Sequence, residues 1–300
     1  MTSWLHHIDV VVFDLDGTLY QDHAFPFRFI AHLLEGTAHE RDIPAWQDAA
    51  AAIFAGRRPF RVGHWYDAAS GLCADLGGAF DPAAMRAYDW DGAPLQAALP
   101  LDAAAWAEAA AARRLLYAGD AWSVVAVIAA RLGVPEADRQ RAFRRVRDEM
   151  LAPPHAIARH DRLLAAVKRL PCRKMLLTNS PADTASAFVQ HLGLDGAFSH
   201  TAFGSGKPDG LAALLDRLIR EEGVPAERIV SIGDHAWNDL EPARQAGCRT
   251  VAVHPYSEPS PTAAEPWDCQ IRTLDELADL IESIHRYKEE SVYDVRKQQA

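Results

Sequence analysis

The sequence is poor in cysteine and methionine, with four of each among 300 residues. No two cysteines have C-x-x-C spacing, so the pattern indicates neither a zinc knuckle nor a redox pair. Long apolar runs are also missing. The run in MTSWLHHIDVVVF is too short to span a membrane and has no cationic leader before it. From these features we expect a cytoplasmic protein without a membrane partner.

Basic residues are in the minority, with 31 Lys and Arg against 41 Asp and Glu and a net charge of −10. A nucleic-acid backbone is therefore not an expected partner. The chain is 49% hydrophobic and 24% charged, which is typical of a globular protein, and it is long enough for two domains. We expect a monomer or a homodimer.

One stretch near the amino terminus combines a buried strand with two carboxylates. Residues 8–13 form an apolar, β-branched run that predicts a parallel strand, and Asp14 and Asp16 follow it directly. Burial and mutual repulsion disfavour both charges, so a cation or aimed donors must compensate them. Gly17 then permits a close backbone approach. The alternative is an ordinary strand followed by an Asp-Gly turn.

The next 130 residues or so have helical spacing and no predicted strand. The predicted helices are 24–40, 44–56, 63–76, 82–88, 103–117, 121–132 and 135–150. Asp102 and Asp120 are the expected N-caps of two of them. Residues 22–152 therefore predict an all-helical domain inserted into the chain.

Strands and helices alternate after Pro153-Pro154. The predicted strands are 174–177, 197–203, 228–232, 250–253 and 270–272, and Ser180 is the expected cap of a helix over 181–192. A capping box at Thr273 and Glu276 predicts the last helix, which a charged tail over 287–300 follows. This alternation predicts an α/β fold with a parallel sheet, built from residues 1–21 and 153–300.

Polar residues follow several of these strands. They are Asp14 and Asp16, Thr178 and Asn179, Lys207 in a Gly-rich loop, and Asp234 with Asp239. Because ligands of open α/β sheets bind beyond the carboxyl ends of the strands, these side chains should converge on one crevice. Hard oxygen ligands without His or Cys favour magnesium.

The remaining groups suit phosphoryl transfer. Lys207, the Thr178 hydroxyl and backbone N–H groups around residue 179 can bind a phosphoryl group. Asp14 can attack phosphorus, and Asp16 can protonate the leaving oxygen and later activate water. The sequence therefore predicts a phosphatase for a small phosphorylated metabolite, of nucleotide, sugar phosphate or phosphoglycolate type.

Four motifs together resemble the haloacid dehalogenase-like hydrolase superfamily. They are Asp14-Leu15-Asp16-Gly17-Thr18, Leu177-Thr178-Asn179-Ser180, Gly206-Lys207-Pro208, and Gly233-Asp234 with Asp239 five residues on. The resemblance implies a Rossmann-like core with a helical cap inserted after the first motif. It implies Asp14 as nucleophile, Asp16 as general acid and base, and Thr178 and Lys207 as phosphate binders. It also implies Mg²⁺ held by Asp14, the Asp16 carbonyl and Asp234, with Asp239 in support.

Gly210 departs from the family pattern, since many relatives have a second proline there. A phosphomutase and a non-catalytic binding module remain alternative functions, whereas a dehalogenase does not need the acid that Asp16 supplies. Two further groups of residues are not expected to be binding sites. The first is a basic, aromatic patch that is expected to be surface and core, with selection of a substrate as the alternative, and the second is expected to be a solvated helix face. They are Arg57, Arg58, Arg61, His64 and Trp65, and the helix face of Arg139, Arg141, Arg144, Arg145 and Arg147.

Overall fold

The chain forms two compact units in a computed structural model that describes residues 3–77, 80, 85–95, 108–109, 112, 114–254 and 266–285. The sheet unit consists of residues up to Asp22, from Pro153 to 254 and from Trp267 to 285. The inserted unit consists of the described residues between His23 and Ala152, together with Pro266.

The strands and helices are numbered in chain order. The strands are β1 (Val10–Phe13), β2 (Trp65–Asp67), β3 (Cys73–Asp75), β4 (Arg86–Tyr88), β5 (Leu115–Tyr117), β6 (Arg173–Leu177), β7 (His200–Ala202), β8 (Ile229–Gly233), β9 (Arg249–Val253) and β10 (Cys269–Ile271). The helices are α1 (Phe25–Leu34), α2 (Ile43–Phe54), α3 (Ala121–Arg131), α4 (Glu136–Glu149), α5 (Asp161–Arg169), α6 (Ala182–His191), α7 (Asp209–Asp216), α8 (Glu241–Gln245) and α9 (274–285). In the part of the chain described, none of these helices combines the length and the apolar character that crossing a membrane requires.

The sheet unit contains six strands in the order β10-β9-β8-β1-β6-β7, and every pairing is parallel. All four residues of β1 are buried, as expected for the central strand of a sheet covered on both faces. The predicted α/β fold with a parallel sheet core is therefore confirmed.

The register of the central strands brings their carboxyl ends to one edge. Phe13 of β1 is paired with Leu176 of β6 on one side and with Ile232 of β8 on the other. The segments that follow these three strands therefore begin side by side. A helix packs beneath them: Leu211 and Leu215 of α7 lie in one apolar cluster with residues of β1. Each such buried leucine stabilises the fold by about 1.5–3 kcal/mol, which gives the edge a rigid base.

The inserted unit is not all-helical, which corrects the prediction for residues 22–152. It contains a four-stranded sheet in the order β4-β3-β2-β5, and its pairings are antiparallel. The predicted helices 63–76 and 82–88 are wrong where β2, β3 and β4 lie, and so is the end of helix 103–117, where β5 lies. Asp102, residues 103–107 and the tail over 287–300 lie outside the described residues.

The reason for this error is strand length. Each of the four strands has three residues, too few to show the alternation that distinguishes a strand from a helix. Their stability comes from pairing between distant segments, as when Trp65 of β2 is paired with Tyr117 of β5. The two rings lie 5.0 Å apart between centroids, and such cross-strand aromatic pairs stabilise sheets.

The helices of the inserted unit follow the sequence more closely. Asp120 caps α3 through its side chain, which accepts from the backbone N–H of Ser123, and Pro135 immediately precedes α4. Arg147 corrects the prediction of a solvated arginine face on α4, because this residue is fully buried. Its guanidinium lies 5.4 Å from the ring centre of Trp122, so it belongs to the core through a cation–π contact.

Candidate active site

The residues predicted for the site lie at one edge of the sheet unit. Asp14 follows β1, Thr178 follows β6 and Asp234 follows β8. Lys207 comes from the loop after β7 and reaches Asp14 with its ammonium group. Asp239 approaches the same group from the turn before α8. These five side chains are all buried.

Lys207 is a buried cation surrounded by acceptors. Its Nζ donates to Oδ1 of Asp14 and to Oδ1 of Asp239, both at 2.6 Å, and to the Leu177 carbonyl oxygen at 2.9 Å. Since an ammonium group has three N–H donors, each is used. Burial acts to lower the pKa of Lys207, but the two carboxylates outweigh it and raise that pKa above its ordinary value. Lys207 therefore stays charged.

Asp14 is an acid whose pKa the site shifts strongly. Burial raises the pKa of its carboxyl group above the ordinary value. The attraction of Lys207 opposes this rise, whereas the charges of Asp239 and Asp16 add to it. One lysine does not compensate this group of acids, so a further cation would stabilise Asp14 as a carboxylate.

Three of the aspartates can hold such a cation. Carboxylate oxygens of Asp14, Asp234 and Asp239 all lie within 4.8 Å of one another, and all three residues are buried. A set made only of carboxylate oxygens fits a hard divalent cation and not a thiolate- or imidazole-binding metal. The side chain of Asp16 is not part of this group.

Two glycines allow these carboxylates to come so close to the backbone. A Cβ at Gly17, where φ is +82°, would lie 1.9 Å from Oδ2 of Asp234. A Cβ at Gly233 would lie 2.3 Å from Oδ2 of Asp239. Real Cβ atoms do not come so close, so a side chain at either position would displace a carboxylate from the cluster. These glycines are therefore part of the acidic cluster's construction.

Hydroxyl groups surround the carboxylate of Asp16. Its Oδ1 accepts a hydrogen bond from the Tyr20 hydroxyl. Its Oδ2 accepts from the Ser180 hydroxyl at 2.8 Å and from the Thr178 hydroxyl at 3.2 Å. These donors fix the orientation of the carboxylate, which is 7% exposed. Asp14 and Asp16 are thus two residues apart in sequence but have different surroundings.

Sequence analysis missed two of these donors. Ser180 was expected to cap α6, but the helix begins after Pro181 without a side-chain cap, because the Ser180 hydroxyl is used by Asp16. Tyr20 was not assigned to the site at all. The available signal was a tyrosine, four residues after Asp16 and next to the apolar Leu19; a buried tyrosine hydroxyl needs a partner.

Asn179 and Asp239 are fixed by the main chain around them. The amide of Asn179 forms hydrogen bonds with both main-chain polar groups of Lys207. Oδ2 of Asp239 accepts from the backbone N–H of His235 at 3.0 Å, and its carbonyl oxygen accepts from the Ser231 hydroxyl at 2.7 Å. Ser231 is a further residue that sequence analysis missed. Its signal is a single hydroxyl in a buried strand, β8.

The glycine at the family's second proline position has a structural reason. The N–H of Gly210 donates to the Gly206 carbonyl oxygen at 3.0 Å, which a proline cannot do. A Cβ at Gly210 would lie 1.8 Å from the carbonyl oxygen of Ser205. The loop that carries Lys207 therefore folds more tightly against α7 than a side chain at position 210 allows.

The basic and aromatic residues between 57 and 65 belong to the inserted unit. His64 is buried, its Nδ1 contacts the Tyr88 hydroxyl, and its Nε2 accepts from Nε of Arg61 at 3.1 Å. Burial lowers the pKa of His64 to about 4. Trp65 is 1% exposed. The expectation that His64 and Trp65 are core residues therefore holds.

Comparison with known proteins identifies the family of this chain. The family model of the haloacid dehalogenase-like hydrolases matches residues 8–247. The chain belongs to this family of hydrolases.

Individual relatives are distant. The phosphoglycolate phosphatase of Chromobacterium violaceum is 28% identical over 123 residues, which are 40% of this chain and 54% of that protein. The chain thus spans about half the length of this curated relative. A solved haloacid dehalogenase-like family hydrolase from Xanthomonas campestris is 17% identical with a TM-score of 0.44, and covers 95% of this chain and 99% of its own. The L-2-haloacid dehalogenase of Xanthobacter autotrophicus is 18% identical with a TM-score of 0.45, at 92% and 98% coverage. These likenesses do not decide between substrates.

Proposed function

We propose that the protein is a magnesium-dependent phosphatase that hydrolyses a small phosphorylated metabolite through an aspartyl phosphate on Asp14. The observation that carries the proposal is that two carboxylates of the site have different hydrogen-bond partners. Asp14 lies against the Lys207 ammonium, whereas Asp16 is held by the hydroxyls of Tyr20, Thr178 and Ser180. A phosphate ester needs both a nucleophile and a separate acid, and this pair supplies them.

The first step forms the aspartyl phosphate. A carboxylate oxygen of Asp14 attacks phosphorus, the bond to the alcohol oxygen breaks, and Asp16 gives its proton to that oxygen. Lys207 and the Thr178 hydroxyl bind the phosphoryl oxygens. In the structure both groups are already used, by Asp14, Asp239 and Asp16, so phosphate binding exchanges some of these hydrogen bonds.

The second step regenerates Asp14. Asp16, now a carboxylate, removes a proton from water, and the water oxygen attacks phosphorus. The bond between phosphorus and Asp14 breaks, which releases inorganic phosphate and leaves Asp16 protonated for the next cycle. The hydroxyl donors around Asp16 orient it for both transfers.

The metal assignment rests on the donor set. Asp14, Asp234 and Asp239 are a fit for Mg²⁺, and the Asp16 carbonyl is proposed as a further ligand. When bound, the ion neutralises charge on the phosphoryl group that is transferred. The Lys207 ammonium donates to Asp239 as well as to Asp14, so it helps to hold the Asp239 carboxylate in place beside the proposed metal site.

The substrate is proposed to be of nucleotide, sugar phosphate or phosphoglycolate type. The phosphoglycolate phosphatase relative makes phosphoglycolate the first compound to test. Residues 22–152 are proposed to be a cap domain on a core of residues 1–21 and 153–300. This is supported by the chain leaving the sheet unit after the first motif and re-entering it at Pro153. A cytoplasmic location and a monomer or homodimer remain predictions.

The test is a phosphatase assay on purified protein with a panel of phosphorylated metabolites and p-nitrophenyl phosphate. We expect release of inorganic phosphate with Mg²⁺, none in excess chelator, and recovery when Mg²⁺ is returned. A haloacid substrate and a bisphosphate activator are included to detect a dehalogenase or a phosphomutase. Turnover of phosphate esters in chelator, after tightly held metal has been removed, would disprove the metal assignment. No turnover of any ester would disprove the function.

A further inference from the structure

The side chain of Asn179 recognises the main chain of Lys207 in both directions. Its Oδ1 accepts from the Lys207 N–H at 2.7 Å, and its Nδ2 donates to the Lys207 carbonyl oxygen at 3.0 Å. Since an N–H only donates and a carbonyl only accepts, this pair of bonds also determines which way the amide is oriented. One side chain thus satisfies both polar main-chain groups of the residue that carries the site's ammonium.

The neighbouring part of the loop is attached by main-chain hydrogen bonds. The N–H of Gly204 donates to the Ser180 carbonyl at 2.9 Å, and the N–H of Ser205 donates to the Thr178 carbonyl at 3.0 Å. These bonds do not depend on side chains. They end two residues before Lys207, and there the Asn179 amide continues the attachment. Pro208, the next residue, has no N–H to contribute.

This geometry differs from that of a phosphate ligand. The Asn179 oxygen is used by the Lys207 N–H and, at 3.3 Å, by the Ser205 hydroxyl, while its nitrogen donates to the Lys207 carbonyl. The amide therefore faces the loop at both ends. We infer that Asn179 is a positioning residue that acts through Lys207: it holds the Lys207 main chain and thereby fixes the position of the ammonium group that binds phosphate. That the ammonium group binds phosphate rests on the proposed function.

The position of the Lys207 backbone matters because the side chain is long and its ammonium group must fit among several acceptors. The ammonium meets three acceptors at once, Asp14, Asp239 and the Leu177 carbonyl. A displacement of about 1 Å in a positioning group can cost on the order of 10²-fold in rate. Loss of the Asn179 amide should therefore weaken phosphate binding, and it should affect the acidic cluster only through the Lys207 ammonium, which bonds to Asp14 and Asp239.

The first experiment compares Asn179→Ala with Ser205→Ala. The control removes the third contact of the same amide and leaves both bonds to Lys207 and every main-chain bond of the loop in place. We expect Asn179→Ala to weaken inhibition by inorganic phosphate about tenfold, the scale of losing its two hydrogen bonds. KM for p-nitrophenyl phosphate should rise in parallel. Ser205→Ala should remain within about twofold of wild type in each quantity, as a weak contact predicts.

A double-mutant cycle separates positioning from direct binding. Phosphate affinity is measured by calorimetry, in the presence of Mg²⁺, for wild type, Asn179→Ala, Lys207→Met and the double variant. If Asn179 acts through Lys207, its substitution should change affinity less than about twofold once Lys207 is a methionine. If the two losses multiply instead, Asn179 binds phosphate itself and the inference is overturned.

Hydrogen exchange of the Lys207 amide gives a measurement that does not need activity. On the full chain, Asn179→Ala should speed this exchange about tenfold, since the protecting acceptor is lost, and Ser205→Ala should not. Unchanged exchange together with unchanged phosphate affinity overturns the inference. If wild type neither hydrolyses nor binds phosphate, the proposed function fails, and faster exchange alone then supports the positioning of Lys207. Asn179 is exposed, so the Asn179→Ala variant should still fold. If it does not fold, Asn179→Ser is the second variant.

Discussion

The hydroxyl of Tyr20 donates a hydrogen bond to Oδ1 of Asp16, four residues earlier in the chain. The Tyr20 ring is 1% exposed and packs 5.4 Å from the ring of Phe188, which lies on α6. The acid proposed to transfer protons is thus attached to the hydrophobic core through a tyrosine. Ser180 and Thr178 hold its other oxygen from the far side.

Tyr20→Phe should reduce turnover more for poor leaving groups than for good ones. The variant keeps the ring against Phe188 and removes only the donor to Asp16. An alkyl phosphate needs a well-oriented acid, whereas p-nitrophenol leaves with little protonation. We expect about a tenfold loss of kcat for a sugar phosphate, which is less than the whole contribution of general acid–base catalysis, about 10²–10⁴-fold. The loss of kcat for p-nitrophenyl phosphate should be smaller.

Tyr88→Phe is the control, since it removes another tyrosine hydroxyl, a half-buried one in the inserted unit. Both variants should lose stability by about 1 kcal/mol, the usual net value of one hydrogen bond. Only Tyr20→Phe should change the ratio of the two esters. If both change that ratio equally, Tyr20 has no special relation to Asp16.

The parts of the fold that the sequence predicts well are those with local signals. β1, β6 and β8 are mostly apolar and are buried except for the first two residues of β6, and polar residues follow each of them, so their boundaries are visible without any partner strand. The sheet of the inserted unit has no such signal. A three-residue segment such as β2 forms a strand because it pairs with β5, which lies far along the chain. The local spacing of apolar residues does not predict pairing of this kind.

The candidate site shows the same division. Charged residues at strand ends are conspicuous, and the structure brings Asp14, Lys207 and Asp239 together, although their chemical roles stay predictions. Two of the residues that sequence analysis missed, Tyr20 and Ser180, carry hydroxyls, and a hydroxyl has many ordinary uses, such as capping a helix. Which use applies depends on the distance to Asp16, and only the fold determines that distance.

The stability of the inserted unit should depend on pH through His64. Its pKa in the folded protein is about 4, below the ordinary value of 6.5, because burial disfavours the charged ring. Unfolded His64 therefore binds more protons than folded His64 between these values. The stability it contributes is complete above pH 6.5 and is lost as pH falls towards 4. Between pH 7 and pH 5 the loss should be about 2 kcal/mol.

The measurement is urea unfolding at pH 7 and at pH 5, for wild type and for His64→Gln. Glutamine does not titrate, so this variant should lose about 2 kcal/mol less between the two pH values. Tyr88→Phe keeps the buried imidazole and should keep the pH dependence. A wild type and a His64→Gln variant that respond identically to pH would show that folding does not lower the pKa of His64.

Gly210→Pro, which restores the more usual residue of the family, should destabilise this protein. It removes the N–H that bonds to Gly206 and adds atoms where Ser205 leaves no room. Overpacking of this kind costs typically about 1–3 kcal/mol. Because the loop carries Lys207, inhibition by inorganic phosphate should weaken as well.

Gly210→Ala tests the steric part alone, since it keeps the N–H. Its control is Gly196→Ala, where φ is +68° and no atom lies within 4 Å, so only the backbone preference is lost. That loss should be about 1 kcal/mol, without an effect on phosphate. Calorimetric melting and phosphate inhibition check both variants. Wild-type behaviour of Gly210→Ala would mean that the loop relaxes freely.

Asp14→Asn should abolish turnover for every ester. An amide is a poor nucleophile, and the substitution also removes a charge from the acidic cluster and a partner of Lys207. No phosphorylated protein should form, which mass spectrometry of the intact chain measures. Persistence of ester hydrolysis in this variant would require another nucleophile.

Asp16→Asn should separate the two steps of the reaction. It leaves Asp14 and the three-aspartate cluster intact, since the Asp16 side chain is not part of that cluster. Removal of general acid–base help should lower the rate by about 10²–10⁴-fold. The loss in phosphorylation should be smallest for p-nitrophenyl phosphate and largest for an alkyl phosphate.

Dephosphorylation needs Asp16 as a base whichever ester was cleaved, so the variant should accumulate phosphate on Asp14. With p-nitrophenyl phosphate this gives a burst of nitrophenol, and the intact protein gains the mass of one phosphoryl group. The double variant Asp14→Asn/Asp16→Asn is the control and should show neither. Equal losses for both classes of ester, without burst or mass gain, would show that Asp16 orders the site and does not transfer protons, because proton transfer alone makes the loss depend on the leaving group.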